Sequence, residues 1–244
     1  MSHNFELLKQ IQYEWGAKDD RKLDDVTRLA TKTVASRDGV NTYEEEMLRL
    51  VRRVFLSPDG SAPRLVVFCG VDGESGSSSV FASAGQILAA NSSRSVCLVD
   101  ANAPFQRLSG TFAVDTTAPF SSTSASVREQ CVEIGGNLWL AGTAVLADGR
   151  GALLSVDELK QRLAQLRGVF EYVLIDAPGT SVCGNAALLG QVADAAILVI
   201  EANSTRRLTA RKAKETLDAA GVRLLGTVLH NRSFPIPERL YKRL

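Results

Sequence analysis

Several things are missing from this 244-residue chain. Neither charge is in excess: 28 Lys and Arg stand against 27 Asp and Glu, a net charge of +1. That balance excludes a strong general footprint on nucleic acid or on an anionic membrane and leaves room only for local patches. No two cysteines have metal-ligand or CxxC spacing. Cys69, Cys97, Cys131 and Cys183 are scattered, and the first two fall inside apolar runs, so they read as small core residues in a reducing compartment. No window reaches the ~18 uninterrupted apolar residues of a membrane span. The opening segment, "MSHNFELLKQIQYEWGAKDD", has neither an apolar stretch nor a cleavage signature of a leader. Internal repeats are absent. These absences predict a cytoplasmic protein with no nucleic-acid partner and no direct membrane insertion, which reaches a membrane only if a partner brings it there.

What is present is an ordinary globular composition, 45% hydrophobic and 23% charged, long enough for one large domain with its own core. Residues 1–41 are polar and mixed in charge, and read as a flexible arm. In "TYEEEMLRLVRRVFL" (42–56), Thr42 and Glu45 are spaced as a capping box, and Met47, Leu50, Val51 and Val54 recur at helical spacing. "SPDGSAP" (57–63) is a linker. Beyond it, apolar runs alternate with helical segments. "RLVVFCG" (64–70), "SVCLVD" (95–100), "NLWLAG" (137–142), "YVLIDAPG" (172–179), "AAILVIEA" (195–202) and "RLLGTVLHN" (223–231) predict strands. "SVFASAGQILAA" (79–90) predicts an amphipathic helix. "SVDELKQRLAQLRGVF" (155–170) predicts one capped by Ser155 and Glu158 and closed at Gly168, and "TRRLTARKAKETLDAAG" (205–221) a basic-faced one ended by glycine. "SSTSAS" (121–126) is a polar loop. Nearly continuous apolar strands between helices specify an α/β fold, a doubly wound and mostly parallel sheet flanked by helices.

Ligands of such sheets bind beyond the carboxyl ends of the strands, so loops 70–78, 100–104 and 176–182 should share one edge. Three features meet there. Gly70, Gly73 and Gly76 leave backbone amides free to point inward, and Ser77 and Ser78 open a helix whose N-terminus attracts anions. Asp100 ends "CLVD" and Asp176 ends "VLID", each a typical place for a magnesium or water-positioning carboxylate in phosphoryl transfer. Either feature alone is common, the glycine turn as a plain turn and the aspartate as a helix cap. Together, in this order, they point to a phosphate-loop NTPase-like domain.

On these residues the chain resembles the bacterial tyrosine autokinases of polysaccharide biosynthesis and export, relatives of the septum-site and partition ATPases with a deviant Walker motif. The resemblance spans about residues 42–232, with the NTPase-like part at 64–232. "VDGESGSS" (71–78) aligns with the family's Walker A octapeptide, "LVDAN" (98–102) with its second Walker motif, and "FEYVLIDAP" (170–178) with Walker B. "QVADAAILVIEANSTRR" (191–207) and "LLGTVLHN" (224–231) fit the next two segments, the second ending near the adenine. The resemblance implies nucleotide contacts from Gly73, Glu74, Ser75, Gly76, Ser77, Ser78, Ser79, His230 and Asn231. It implies magnesium held at Ser78, Asp100 and Asp176, with both aspartates catalytic if the chain is active. It also implies that helix 42–56 mediates assembly through Glu46, Arg49 and Arg52, the family's E-x-x-R-x-x-R pattern. The implied partners are further copies of the chain and a membrane chain-length or export protein that draws it to the inner membrane.

The departures matter as much. The family's loop lysine, which faces the β and γ phosphates, is replaced by Ser77. The second acid of the second Walker motif is Asn102, followed by Ala103–Pro104 where a basic residue belongs. The C-terminal tyrosine cluster is missing, and the tail 233–244 holds only Tyr241. Glu74 decides nothing, because family loops carry a glutamate there. Loss of one preorganised charge-stabilising donor costs ~10²–10³ in rate. The sequence therefore favours a degenerate pseudokinase that regulates or scaffolds exopolysaccharide or capsule export, with ATP or ADP and magnesium held weakly. Two alternatives stay open: an active ATP-binding enzyme with a basic residue, Arg49 or Arg52, supplied by another subunit, and a non-catalytic partner of the chain-length protein.

Overall fold

The computed structural model describes residues 42–57, 62–73, 76–102, 111–112, 126–148, 151–181 and 184–231. All of these fall within the compact unit Val34–Leu244. The arm 1–41, Glu74 and Ser75, Ala103–Pro104, loop 121–125, Cys183 and the tail 233–244 lie outside the described residues.

Seven strands form one sheet: β1 (Leu65–Gly70), β2 (Val96–Asp100), β3 (Cys131–Gly135), β4 (Leu138–Ala141), β5 (Tyr172–Ala177), β6 (Ala195–Glu201) and β7 (Leu224–His230). Their order is β3-β4-β2-β5-β1-β6-β7. Every pairing is parallel except β3 with β4. β1, β2 and β5 are buried at every position, because helices cover both faces. Side chains alternate accordingly: Leu65, Val67 and Cys69 enter one core cluster, Val66 and Phe68 the other.

Among the fully described helices two cover one face, α1 (Thr42–Phe55) and α2 (Ser77–Asn91). Three cover the other: α3 (Val156–Val169), α4 (Asn185–Val192) and α5 (Arg207–Ala219). The stripe of α1 buries Met47, Val51, Val54 and Phe55 against the core around α2, and the Tyr172 hydroxyl donates to the Phe55 carbonyl at 3.2 Å. The apolar face of α1 is thus spent within the chain.

Two expectations need correcting. The helix opens at Ser77, as the serine pair led us to expect, but the segment 79–90 is not amphipathic. Its Val80, Phe81, Ala82, Ala84, Gly85 and Leu88 are all buried, since α1 covers the side that a surface helix would leave wet. Helix α3 does not close at Gly168 but runs to Val169, and the Phe170 N–H caps it on the Leu166 carbonyl at 2.8 Å. The Ser155–Glu158 capping box is present, with the Ser155 N–H donating to the Glu158 carboxylate at 3.0 Å. Gly221, at φ 71, follows α5 as expected.

β3 and α4 were not read from the sequence. β3 is a short edge strand with three of its five residues exposed, and α4 has eight residues, so neither carries a clear periodic signal. At the amino end of the sheet, the Asp194 carboxylate accepts from the Arg64 and Leu65 N–H groups, both at 2.9 Å, and from Arg167 at 2.8 Å. Among the described residues no helix is long and apolar enough to cross a membrane.

Candidate functional site

β1, β2 and β5 are adjacent and parallel, so their carboxyl ends open onto one edge. Asp100 and Asp176 are direct register partners there, 2% and 1% exposed. The strand ends are tied together: the Ala101 N–H donates to the Asp176 carbonyl at 2.9 Å. The Asn102 N–H donates to the Asp100 carboxylate at 2.9 Å, a turn in which the aspartate orders its own loop. Asn102, at the place of the family's second acid, is itself buried.

The loop after β1 enters α2 through Gly76, whose φ of 70 lies in the left-handed region. The Ser79 and Val80 N–H groups turn back to the Gly76 carbonyl. Among the described residues no side chain caps this helix start, which leaves its remaining first-turn amides to face a ligand. The Ser78 hydroxyl donates to the Asp176 carboxylate at 2.6 Å and holds the helix start against β5. Ser77 is 7% exposed, and Ser79 points out to solvent. No Lys or Arg occurs anywhere between residues 65 and 93. Below the loop, the Cys69 thiol is pushed up to about 12 by burial and, secondarily, by the charge of Asp176, so it stays protonated and inert.

Two contacts that frame the loop escaped the sequence reading. Gly179 presses on the backbone of Asp72, where a Cβ would lie 2.6 Å from the Asp72 carbonyl carbon. The Thr180 and Ser181 N–H groups donate to the Gly70 and Val71 carbonyls at 2.9 and 3.1 Å. The Pro-Gly pair after β5, taken only as a strand break, was the visible trace of this clamp. On the other side, His230 lies edge-on against Gly76, and a Cβ there would fall 2.2 Å from its Cδ2. Asn231, at φ 57, turns away, and its amide donates to Glu201 at 3.3 Å. Gly73 is half-buried at the loop's start. On α1, Glu46 and Arg49 pair with each other at 3.0 Å, and Arg49 and Arg52 are exposed. Arg206 stands at the cap of α5 and Arg207 opens it.

One hydroxyl and two carboxylates make a hard-oxygen set suited to magnesium, with phosphate and water completing the shell. Among the described residues no cluster of three or more His, Cys, Asp or Glu offers a self-sufficient metal cage. The uncapped amides of α2 suit a phosphate, while the strong point charge of a loop lysine is missing. The residues therefore fit magnesium and a phosphate group, with reduced electrostatic support.

The chain is 26% identical over 211 residues to the tyrosine-protein kinase YwqD of Bacillus subtilis, covering 84% of this chain and 88% of that protein. It is 31% identical over 94 residues to the tyrosine-protein kinase CpsD of Streptococcus pneumoniae, which is 38% of this chain and 41% of that one. Among solved structures, the kinase domain of the Escherichia coli tyrosine kinase ETK matches with a TM-score of 0.65 at 18% identity, over 89% of this chain and 90% of that domain. The cell division protein MinD of Aquifex aeolicus matches with a TM-score of 0.57 at 17% identity, over 74% and 72% of the two chains. At these identities the solved structures establish a P-loop NTPase-like fold. No family model matches the chain. The relatives are bacterial tyrosine kinases, as the resemblance read from the motifs led us to expect.

Proposed function

We propose that this tyrosine-autokinase-like protein is a pseudokinase. It keeps the fold and the phosphate-facing loop, holds magnesium and ADP or ATP weakly, and regulates or scaffolds polysaccharide assembly from the cytoplasm beside a membrane chain-length protein. One observation carries this reading. Ser77 occupies the buried first position of α2 where the family has its lysine, while Ser78, Asp100 and Asp176 stand as a magnesium set would need them. Magnesium, when bound, would neutralise phosphate charge. The protein's own part is to orient the phosphates with α2's amides and to fix Ser78 against Asp176. Without the lysine, the protein's own support for charge developing at the outer phosphates is reduced to backbone amides.

Calorimetry with magnesium and ADP or ATP, on this chain and on Ser77→Lys, tests the reading. The substitution should tighten binding by at least about tenfold, ~1.4 kcal/mol. Rapid turnover or autophosphorylation by the unaltered chain would overturn it.

The competing reading, an active enzyme completed by a neighbour's arginine, draws support from the exposure of Arg49 and Arg52 on the charged face of α1. In either reading Glu46, Arg49 and Arg52 are the residues to assign to assembly. An Arg49→Glu, Arg52→Glu double variant with unchanged oligomeric state removes that role.

A further inference from the structure

The edge strand β7 carries a surface of which the nucleotide reading uses only the end, His230 and Asn231. Among the described residues β7 pairs only with β6, so its outer edge presents unpaired backbone groups. Leu229 of β7 is 49% exposed. It is in register with Ile200, which packs on the core beneath α3, α4 and α5, so Leu229 lies on the α5 face. α5 begins just after the carboxyl end of β6, and its second residue, Leu208, is 78% exposed. Two large apolar side chains thus stand in water on the same face and at the same end of the sheet. Arg206 and Lys212, both exposed, stand on the same helix start, while Arg223, also exposed, lies at the opposite end of β7.

The charge here is lopsided. Residues 205–231 hold six Lys and Arg against two acids, +4 in a chain whose total is +1, so the rest of the chain carries −3. Pairing β7 with the β7 of a second copy would bring two such regions together. A lipid surface could meet the leucines and the arginine but would leave the strand edge unsatisfied.

We propose that the β7 edge and the start of α5 dock an extended acidic peptide segment of a partner protein. The segment adds as a strand to β7. Its side chains on the α5 face are apolar and acidic in turn, the apolar ones covering Leu229 and Leu208 and the carboxylates meeting Arg206 and Lys212.

The probe is a blocked, fluorescent peptide with threonine at every second position and valine and glutamate taking turns between, compared with its lysine-for-glutamate counterpart by anisotropy on the full chain. The acidic peptide should bind at least about tenfold tighter. Arg206→Glu with Lys212→Glu should weaken it by a similar factor, and Leu229→Asp, at an exposed site that the fold does not need, should abolish it. Hydrogen exchange at the β7 amides should slow in the complex. Equal binding of the two peptides, binding of neither, or unchanged β7 exchange overturns the proposal. So does co-sedimentation with phosphatidylglycerol vesicles in the absence of peptide binding.

Discussion

Gly76 combines two demands that no other residue meets. Its φ of 70 is a left-handed conformation, and the space where a Cβ would stand is taken by the edge of the His230 ring. Gly76→Ala should therefore destabilise the protein by ~1–3 kcal/mol, seen as a lower midpoint in urea. Pairing it with His230→Ala should recover the steric part but not the backbone part. The residues inside one strand–loop–helix unit were legible in sequence: Gly76, Ser78 and the strand-end aspartates have recognisable neighbours. The contacts of Gly76 with His230 and of Asp72 with Gly179 were not, because each joins residues brought together only by strand order. Ser77 was legible as a substitution, and its burial adds that the missing charge would have to project from a nearly closed position.

At the scale of elements, α2 shows what a covering helix does. Its glycine at 85 lies so close to β2 that a Cβ would sit 2.4 Å from Leu98 Cδ2. Gly85→Val should cost ~1–3 kcal/mol by overpacking. A urea midpoint that does not move would mean α2 can shift outward against α1. The long apolar strands announced themselves, since burial on both faces leaves an unbroken hydrophobic run. α2 was misjudged because helical periodicity cannot show that a second helix lies on top of it. β3 was missed because a half-exposed edge strand has no such run, and α4 because two turns of small and apolar residues resemble the strands around them.

Across the whole molecule, a buried thiol sets an alkaline limit. An unfolded cysteine loses its proton near 9.0, whereas folded Cys69 keeps it to about 12. Between those values the folded state binds more protons than the unfolded one, so stability is full below 9.0 and falls as pH climbs. Melting temperatures measured upward from pH 9.0 should drop, and a Cys69→Ala variant should drop less steeply. Identical slopes would assign the loss to other groups. Asp194, meanwhile, fastens the starts of β1 and β6 to α3 at the amino end of the sheet, opposite the edge where Asp100, Asp176 and Ser78 meet. The fastening and the chemistry share no residue. On the pseudokinase reading proposed above, a change such as Ser77 at one edge leaves the fastening at the other untouched, so the scaffold persists whatever becomes of the chemistry.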